Sequence, residues 1–194
     1  MACREEIGIL GGSFNPVHAG HLMLASWLAQ YTSLRQVWMM LSPANPLKDT
    51  THAVNEQHRL EMLRIAVGKD SVIKACDLEL HMPRPSYTID TLRKLQHLYP
   101  LYRFRLIIGS DNWQIFDQWR EKDEIIENFS PMIYPRRGYE INTSALPEEV
   151  SVAEAPMIEI SSTMIRKAIA EGKDINHFLP CGVYNYILSH NLYK

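Results

Sequence analysis

Short apolar runs alternate along the chain with longer stretches whose apolar residues recur every three or four positions. Residues 7–10 read as a buried strand, followed by a helix from about His21. Residues 36–41 read as a second strand, followed by a helix over about 55–67. Residues 72–78 predict a third strand. Residues 88–99 predict an amphipathic helix with Ile89, Leu92, Leu95 and Leu98 at three-residue steps, and 104–108 another buried strand. The segment 135–156 carries three prolines and little periodicity and reads as an irregular loop. A strand over 157–160 then leads through Ser161-Ser162-Thr163 into a helix that Gly172 stops, and a last helix covers about 182–190. Strands separated by helices imply parallel pairing with right-handed crossovers. The expected fold is α/β, an open doubly wound parallel sheet of Rossmann-like type with C-terminal helices. Functional residues should then follow the strand ends.

Composition narrows the classes. The chain has 194 residues, 46% apolar and 22% charged, which suits one domain over 1–194 with a sizeable core. Its net charge of −2 supplies no broad cationic field, so nucleic acid is not an expected partner. Acids at Glu5 and Glu6 stand where a secretory leader would be apolar, and no apolar run is long enough to span a bilayer. A cytoplasmic location with no membrane partner is expected, and a homo-oligomer is compatible with the sequence. Cys3, Cys76 and Cys181 are odd in number and widely spaced, which favours reduced structural thiols over a disulfide framework or a zinc ribbon.

The chemistry concentrates in Gly11-Gly12-Ser13-Phe14-Asn15-Pro16-Val17-His18-Ala19-Gly20-His21, where the first strand should give way to the first helix. Glycines at 11 and 12 let a bulky anion approach main-chain N–H groups, and Pro16 stiffens the entry to the helix. His18 and His21 are three apart, so on a first helical turn they point the same way, with Gly20 leaving that face uncovered. Each can donate to a phosphate oxygen, and beside a phosphate dianion either could keep its proton near neutral pH. A zinc site lacks a third ligand at a recognisable spacing. A serine nucleophile elbow would need glycine where Asn15 stands. Neither the dinucleotide-binding fingerprint nor the phosphate-loop motif is present. Two ordinary histidines beside a loop remain the plain alternative for either residue alone.

This segment resembles the His-x-Gly-His signature of the nucleotidyltransferase superfamily, whose members attack the α-phosphate of a nucleoside triphosphate and release pyrophosphate. Ile160-Ser161-Ser162-Thr163-Met164-Ile165-Arg166 resembles that superfamily's triphosphate-binding element; physically it puts hydroxyls at a helix start and a guanidinium one turn in. Ser86-Tyr87-Thr88-Ile89-Asp90-Thr91-Leu92 and Ile107-Ile108-Gly109-Ser110-Asp111-Asn112, with Phe116 and Trp119, resemble one family, the bacterial nicotinate-mononucleotide adenylyltransferases, over nearly the whole chain. Two positions depart from the family pattern: Leu47 stands where His is common, and Asn15 where Asp is common.

The resemblance implies adenylyl transfer from ATP to nicotinate mononucleotide, giving deamido-NAD and pyrophosphate. It implies His18, His21, Lys48 and Arg166 as the catalytic phosphate contacts. ATP would also meet Gly11, Gly12, Ser13, Phe14, Gly20, Gly109, Asp111, Ser161, Ser162, Thr163 and Ile165. The mononucleotide would meet Asn15, Tyr87, Thr88, Trp119 and Arg120, with Trp119 stacked on the pyridine ring and the N–H groups of Thr88 and Arg120 on its carboxylate. Mg²⁺ would be carried with ATP rather than held in a protein cage. Nicotinamide mononucleotide and phosphopantetheine are the competing acceptors, although the phosphopantetheine family usually has Thr in place of His18. An ATP sensor without turnover is the competing non-enzyme reading. Synthetases that share the histidine signature need far more chain to recognise a tRNA.

Overall fold

The computed structural model describes residues 4–43 and 54–194. Strand β1 (Glu5–Gly12) leads into helix α1 (Ala19–Tyr31), β2 (Gln36–Leu41), α2 (Glu56–Val67) and β3 (Ile73–Cys76). After a 3-10 turn at Leu78–His81 come α3 (Thr88–Leu98), β4 (Tyr102–Gly109), the single turn α4 (Ser110–Trp113), α5 (Lys122–Phe129) and β5 (Met132–Tyr134). The chain continues through β6 (Ser151–Val152), α6 (Ser162–Ala170) and α7 (Val183–Ser189). The described strands form one all-parallel sheet in the order β3-β2-β1-β4-β5-β6.

The central parts of the strands are apolar because both faces of the sheet are covered, while Glu5, Glu6, Lys74, Arg103 and Arg105 lie on strands toward the surface or the edge. Side chains alternate between two cores. Leu10, Met39, Leu41 and Ile107 face the layer that holds α1, α2, α6 and α7. Ile9, Trp38, Met40 and Ile108 face the layer of α3 and α5. In α3 the expected stripe is realised by Ile89, Leu92 and Leu95, all fully buried, whereas Leu98 at the helix end is exposed. Gly172 stops α6 as expected: at φ +71° it lets its own N–H reach Ile169 O at 2.9 Å and that of Lys173 reach Ala168 O at 2.9 Å.

Three expectations fail. Residues 157–160 form no strand. Met157 faces solvent, Glu159 reaches out to Arg137 and Ile158 lies against the start of α1, so side-chain contacts rather than sheet pairing hold them. The edge strand is instead β6, inside the segment expected to be irregular; Ser151 N–H bonds Pro131 O and Ala153 N–H bonds Ile133 O. The third strand stops at Cys76, because the chain tightens into the 3-10 turn that buries Glu79.

The sheet order places β1 beside β4 at its centre, and the connections from these two strands leave toward opposite faces. The C-terminal ends of β1 and β4 therefore flank the crevice in which such sheets bind ligands.

Candidate active site

β1 ends at Gly12, and the loop 13–18 carries the chain into α1 with His18 as N-cap and His21 in the first turn. A Cβ on Gly12 would sit 2.9 Å from the Phe14 ring. Phe14 itself is buried with φ +42°, a left-handed conformation rare for an aromatic residue, and its ring meets that of His21 edge-on at 5.0 Å. Only glycine at 12 admits this inward turn.

The two histidines converge as their spacing predicts: the rings stack at 3.6 Å between centroids, inclined by 24°. The His18 backbone N–H donates to His21 Nδ1 at 3.2 Å. That bond fixes the neutral tautomer of His21 with its proton on Nε2, leaving an N–H donor on the far side of the ring. The His18 side chain is 5% exposed, and its Nδ1 has no hydrogen-bond partner among the described residues. Burial and the nearby Arg136 lower the pKa of His18 to about 4; lost hydration, His18 and Arg136 hold His21 well below its ordinary value. Without ligand both rings are therefore neutral donors. Two imidazolium charges at this separation would repel by about 4 kcal/mol at an effective dielectric near 20, so the rings do not both carry a proton on each nitrogen without a compensating anion.

The loop is held from behind. Arg59, on α2 and 2% exposed, donates from Nη1 to Ser13 O at 2.6 Å and to Ser42 O at 2.9 Å, tying the ends of β1 and β2 together. The Ser13–Phe14 peptide is trans, so pinning the Ser13 carbonyl backward turns the Phe14 N–H the opposite way. Arg166 Nη1 donates to Asn15 O at 2.8 Å and Ser162 Oγ to Pro16 O at 2.9 Å. Two side chains expected on the triphosphate thus brace the first motif, although the guanidinium keeps further donors. Ser161 caps α6 through Met164 N–H, and Thr163 Oγ1 lies 3.3 Å from Arg166 Nη2. The Ile165 side chain lies wholly in the core. A Cβ on Gly20 would lie 3.0 Å from Ile158 Cγ2 and 3.2 Å from His18 Nδ1, so glycine lets the segment before α6 close onto the histidines.

Across the crevice, β4 ends at Gly109, whose Cβ would fall 2.3 Å from Asp111 Oδ1 and 2.8 Å from Arg136 Nε. Asp111 pairs with Arg136 at 3.3 Å, Arg136 N–H donates to Ser110 Oγ at 2.9 Å, and its guanidinium donates to the Tyr134 hydroxyl at 2.8 Å. Arg136 is the cation that acts on both histidines, yet it lies in a segment with no periodicity and carried no signal of its own. Arg59 did carry one: it stands three and four residues before Met62 and Leu63, on the inward stripe of α2.

Among the residues expected to meet the acceptor, Tyr87 is the exposed N-cap of α3, so the N–H groups of Thr88 and Ile89 belong to the turn that lacks intrahelical partners. Arg120 lies over the Tyr87 ring at 4.9 Å and pairs with Asp90 at 3.4 Å. Trp119 is half-buried with its ring 5.3 Å from that of Phe116. Lys48 lies outside the described residues, as do Leu47 and Cys3. Cys76 and Cys181 are free thiols. Among the described residues no helix is long and apolar enough to cross a membrane.

The chain matches the cytidylyltransferase-like family model over residues 9–168. It is 45% identical to the "Probable nicotinate-nucleotide adenylyltransferase" of Bacteroides fragilis, over 95% of this chain and 92% of that protein. It is 47% identical to the protein so named from Bacteroides thetaiotaomicron, over 94% of this chain and 90% of the other. Plasmodium falciparum nicotinic acid mononucleotide adenylyltransferase, solved in complex with NaAD, superposes with a TM-score of 0.78 at 25% identity, covering 97% of each chain. With its paired histidines at the switch point of a 3-2-1-4-5-6 sheet, the chain belongs to the nicotinate-nucleotide adenylyltransferase family.

Proposed function

We propose that this protein is a nicotinate-nucleotide adenylyltransferase of NAD biosynthesis, transferring AMP from ATP to nicotinate mononucleotide. A phosphate oxygen of the mononucleotide bonds to the α-phosphorus of ATP. The bond between that phosphorus and the α–β bridging oxygen breaks, and pyrophosphate departs with the electron pair. The nucleophile is already anionic at neutral pH, so the protein need supply no strong base. Its task is alignment and stabilisation of charge on the α-phosphoryl group and the leaving pyrophosphate.

The observation that carries the roles is the stacked His18–His21 pair, neutral and braced from behind, with the His21 Nε2–H as a fixed donor. His21 and His18 act on the phosphates at the reacting centre; Arg166, Arg136 and Lys48 act on the triphosphate. Mg²⁺ carried with ATP would screen the charge of the triphosphate. This fits a crevice furnished with imidazole, guanidinium and backbone N–H donors. The Thr88 N–H at the open turn of α3 and the Trp119 ring suit the carboxylate and the flat pyridine of the acceptor.

The test is pyrophosphate release with ATP, Mg²⁺ and a panel of mononucleotides. Nicotinate mononucleotide should give the highest kcat/KM; equal or greater turnover of the nicotinamide form would refute the acceptor assignment.

A further inference from the structure

The chain after α7 is not idle. Asn191 and Tyr193 both adopt left-handed conformations, φ +52° and +64°, on either side of Leu192, whose side chain is buried and whose N–H bonds Ile187 O at 3.0 Å. Asparagine enters this region readily, but an aromatic residue such as Tyr193 does so only where its surroundings hold it. The double turn sends the Tyr193 ring against the core layer of α1, α2 and α6, and its hydroxyl donates to Asn15 Oδ1 at 2.7 Å.

We infer that Tyr193 is a positioning residue for adenylyl transfer, acting by fixing the Asn15 side chain and, through it, the loop that presents His18 and His21 to the substrates. This inference rests on the adenylyltransferase reading above. Asn15 is gripped at two atoms by two elements remote in sequence: Arg166 holds its main-chain carbonyl and Tyr193 its side-chain oxygen. The direction of the second bond follows from charge. Arg59 and Arg166 both act electrostatically on the phenol, and guanidinium groups only donate, so the phenolic proton goes to the amide oxygen. Burial pushes the phenol well above its ordinary pKa, which keeps that proton in place. With Oδ1 committed to Tyr193, the rotamer of Asn15 is set before substrate arrives. Asn15 lies three residues before His18, so a loosened amide loosens the entry to α1.

The test is Tyr193→Phe, which keeps the ring and removes only the hydroxyl, compared with Asn15→Leu, which keeps the phenol and removes its acceptor. Each should lower kcat/KM for nicotinate mononucleotide by about fivefold to tenfold, the scale of one lost hydrogen bond, with KM for ATP within twofold of wild type. The double variant should be no worse than Asn15→Leu alone, because the two residues act as one unit. Losses that multiply in the double variant would overturn the inference. So would a Tyr193→Phe enzyme that melts earlier but turns over normally. Should Tyr193→Phe fail to fold, an Asn15→Leu enzyme with unchanged kcat/KM would overturn it equally. A wild-type chain that releases no pyrophosphate would instead refute the adenylyltransferase reading, and this inference with it.

Discussion

Replacing His21 separates two jobs that one ring performs. Its Nδ1 accepts the His18 backbone N–H at 3.2 Å, its face stacks on His18, and its Nε2–H points away as the proposed phosphate donor. His21→Ala removes all three. Losing the cap costs about 1 kcal/mol, and losing the edge contact with Phe14 about as much again. Together these should lower Tm by about 4–8 °C for a chain of this size. Losing a preorganised donor at the reacting centre should lower kcat by about 10²–10³. His21→Asn places an acceptor near the Nδ1 position without reaching Nε2; His21→Gln does the reverse. Asn should therefore spare stability and lose turnover, whereas Gln should spare part of the turnover and lose the cap. Steady-state pyrophosphate release and thermal melts followed by circular dichroism measure both quantities. An Asn variant as active as wild type beside a Gln variant as inactive as Ala would refute the assignment of the donor to Nε2.

Three further outcomes follow from the same geometry. Because His18 titrates near 4 when folded and near 6.5 when unfolded, the unfolded chain binds more protons between those values; stability should fall by about 3 kcal/mol as pH drops from 6.5 to 4. Urea melts across that range check this, and His18→Asn should flatten the slope. Removing the Arg136 charge with Arg136→Met should raise the His18 pKa, read from imidazole proton shifts, and should raise the KM for ATP about tenfold; an unmoved titration would refute the coupling. Gly109→Ala forces the Asp111 carboxylate off Arg136, so KM for ATP should rise with Tm nearly unchanged; a large loss of Tm with normal KM would show that the strand end, not the ion pair, had been disturbed.

The central strands and the helices beside them were legible because each is long, strongly patterned and buried as the pattern requires: residues 36–41 match β2 without change. The histidine pair was legible because two local facts, a glycine-rich turn after a strand and a three-residue spacing, suffice to place it. The edge of the sheet was not. β5 and β6 are three and two residues long, too short for a period to show, and 157–160 alternates like a strand while its contacts are made by side chains alone. The bracing role of the cations was hidden for a different reason, although Arg59 betrayed its burial by standing on the inward stripe of α2. Arg136 meets the histidines only through the fold, and a guanidinium that grips main-chain carbonyls, as Arg59 does, leaves no partner residue type to search for.

Arg59 fastens main-chain oxygens at 13 and 42, with Glu56 as its carboxylate neighbour at 4.0 Å, so the side chain at position 13 carries no obligation to the clamp. That side group can be exchanged, in mutagenesis libraries aimed at altered acceptor choice, to reshape what the crevice accepts while the ends of two strands remain fastened, whereas the Ser42 side chain also bonds the buried Glu79 and is not free. Besides the two histidines, such libraries should leave untouched the guanidinium that lies out of solvent's reach on the second helix.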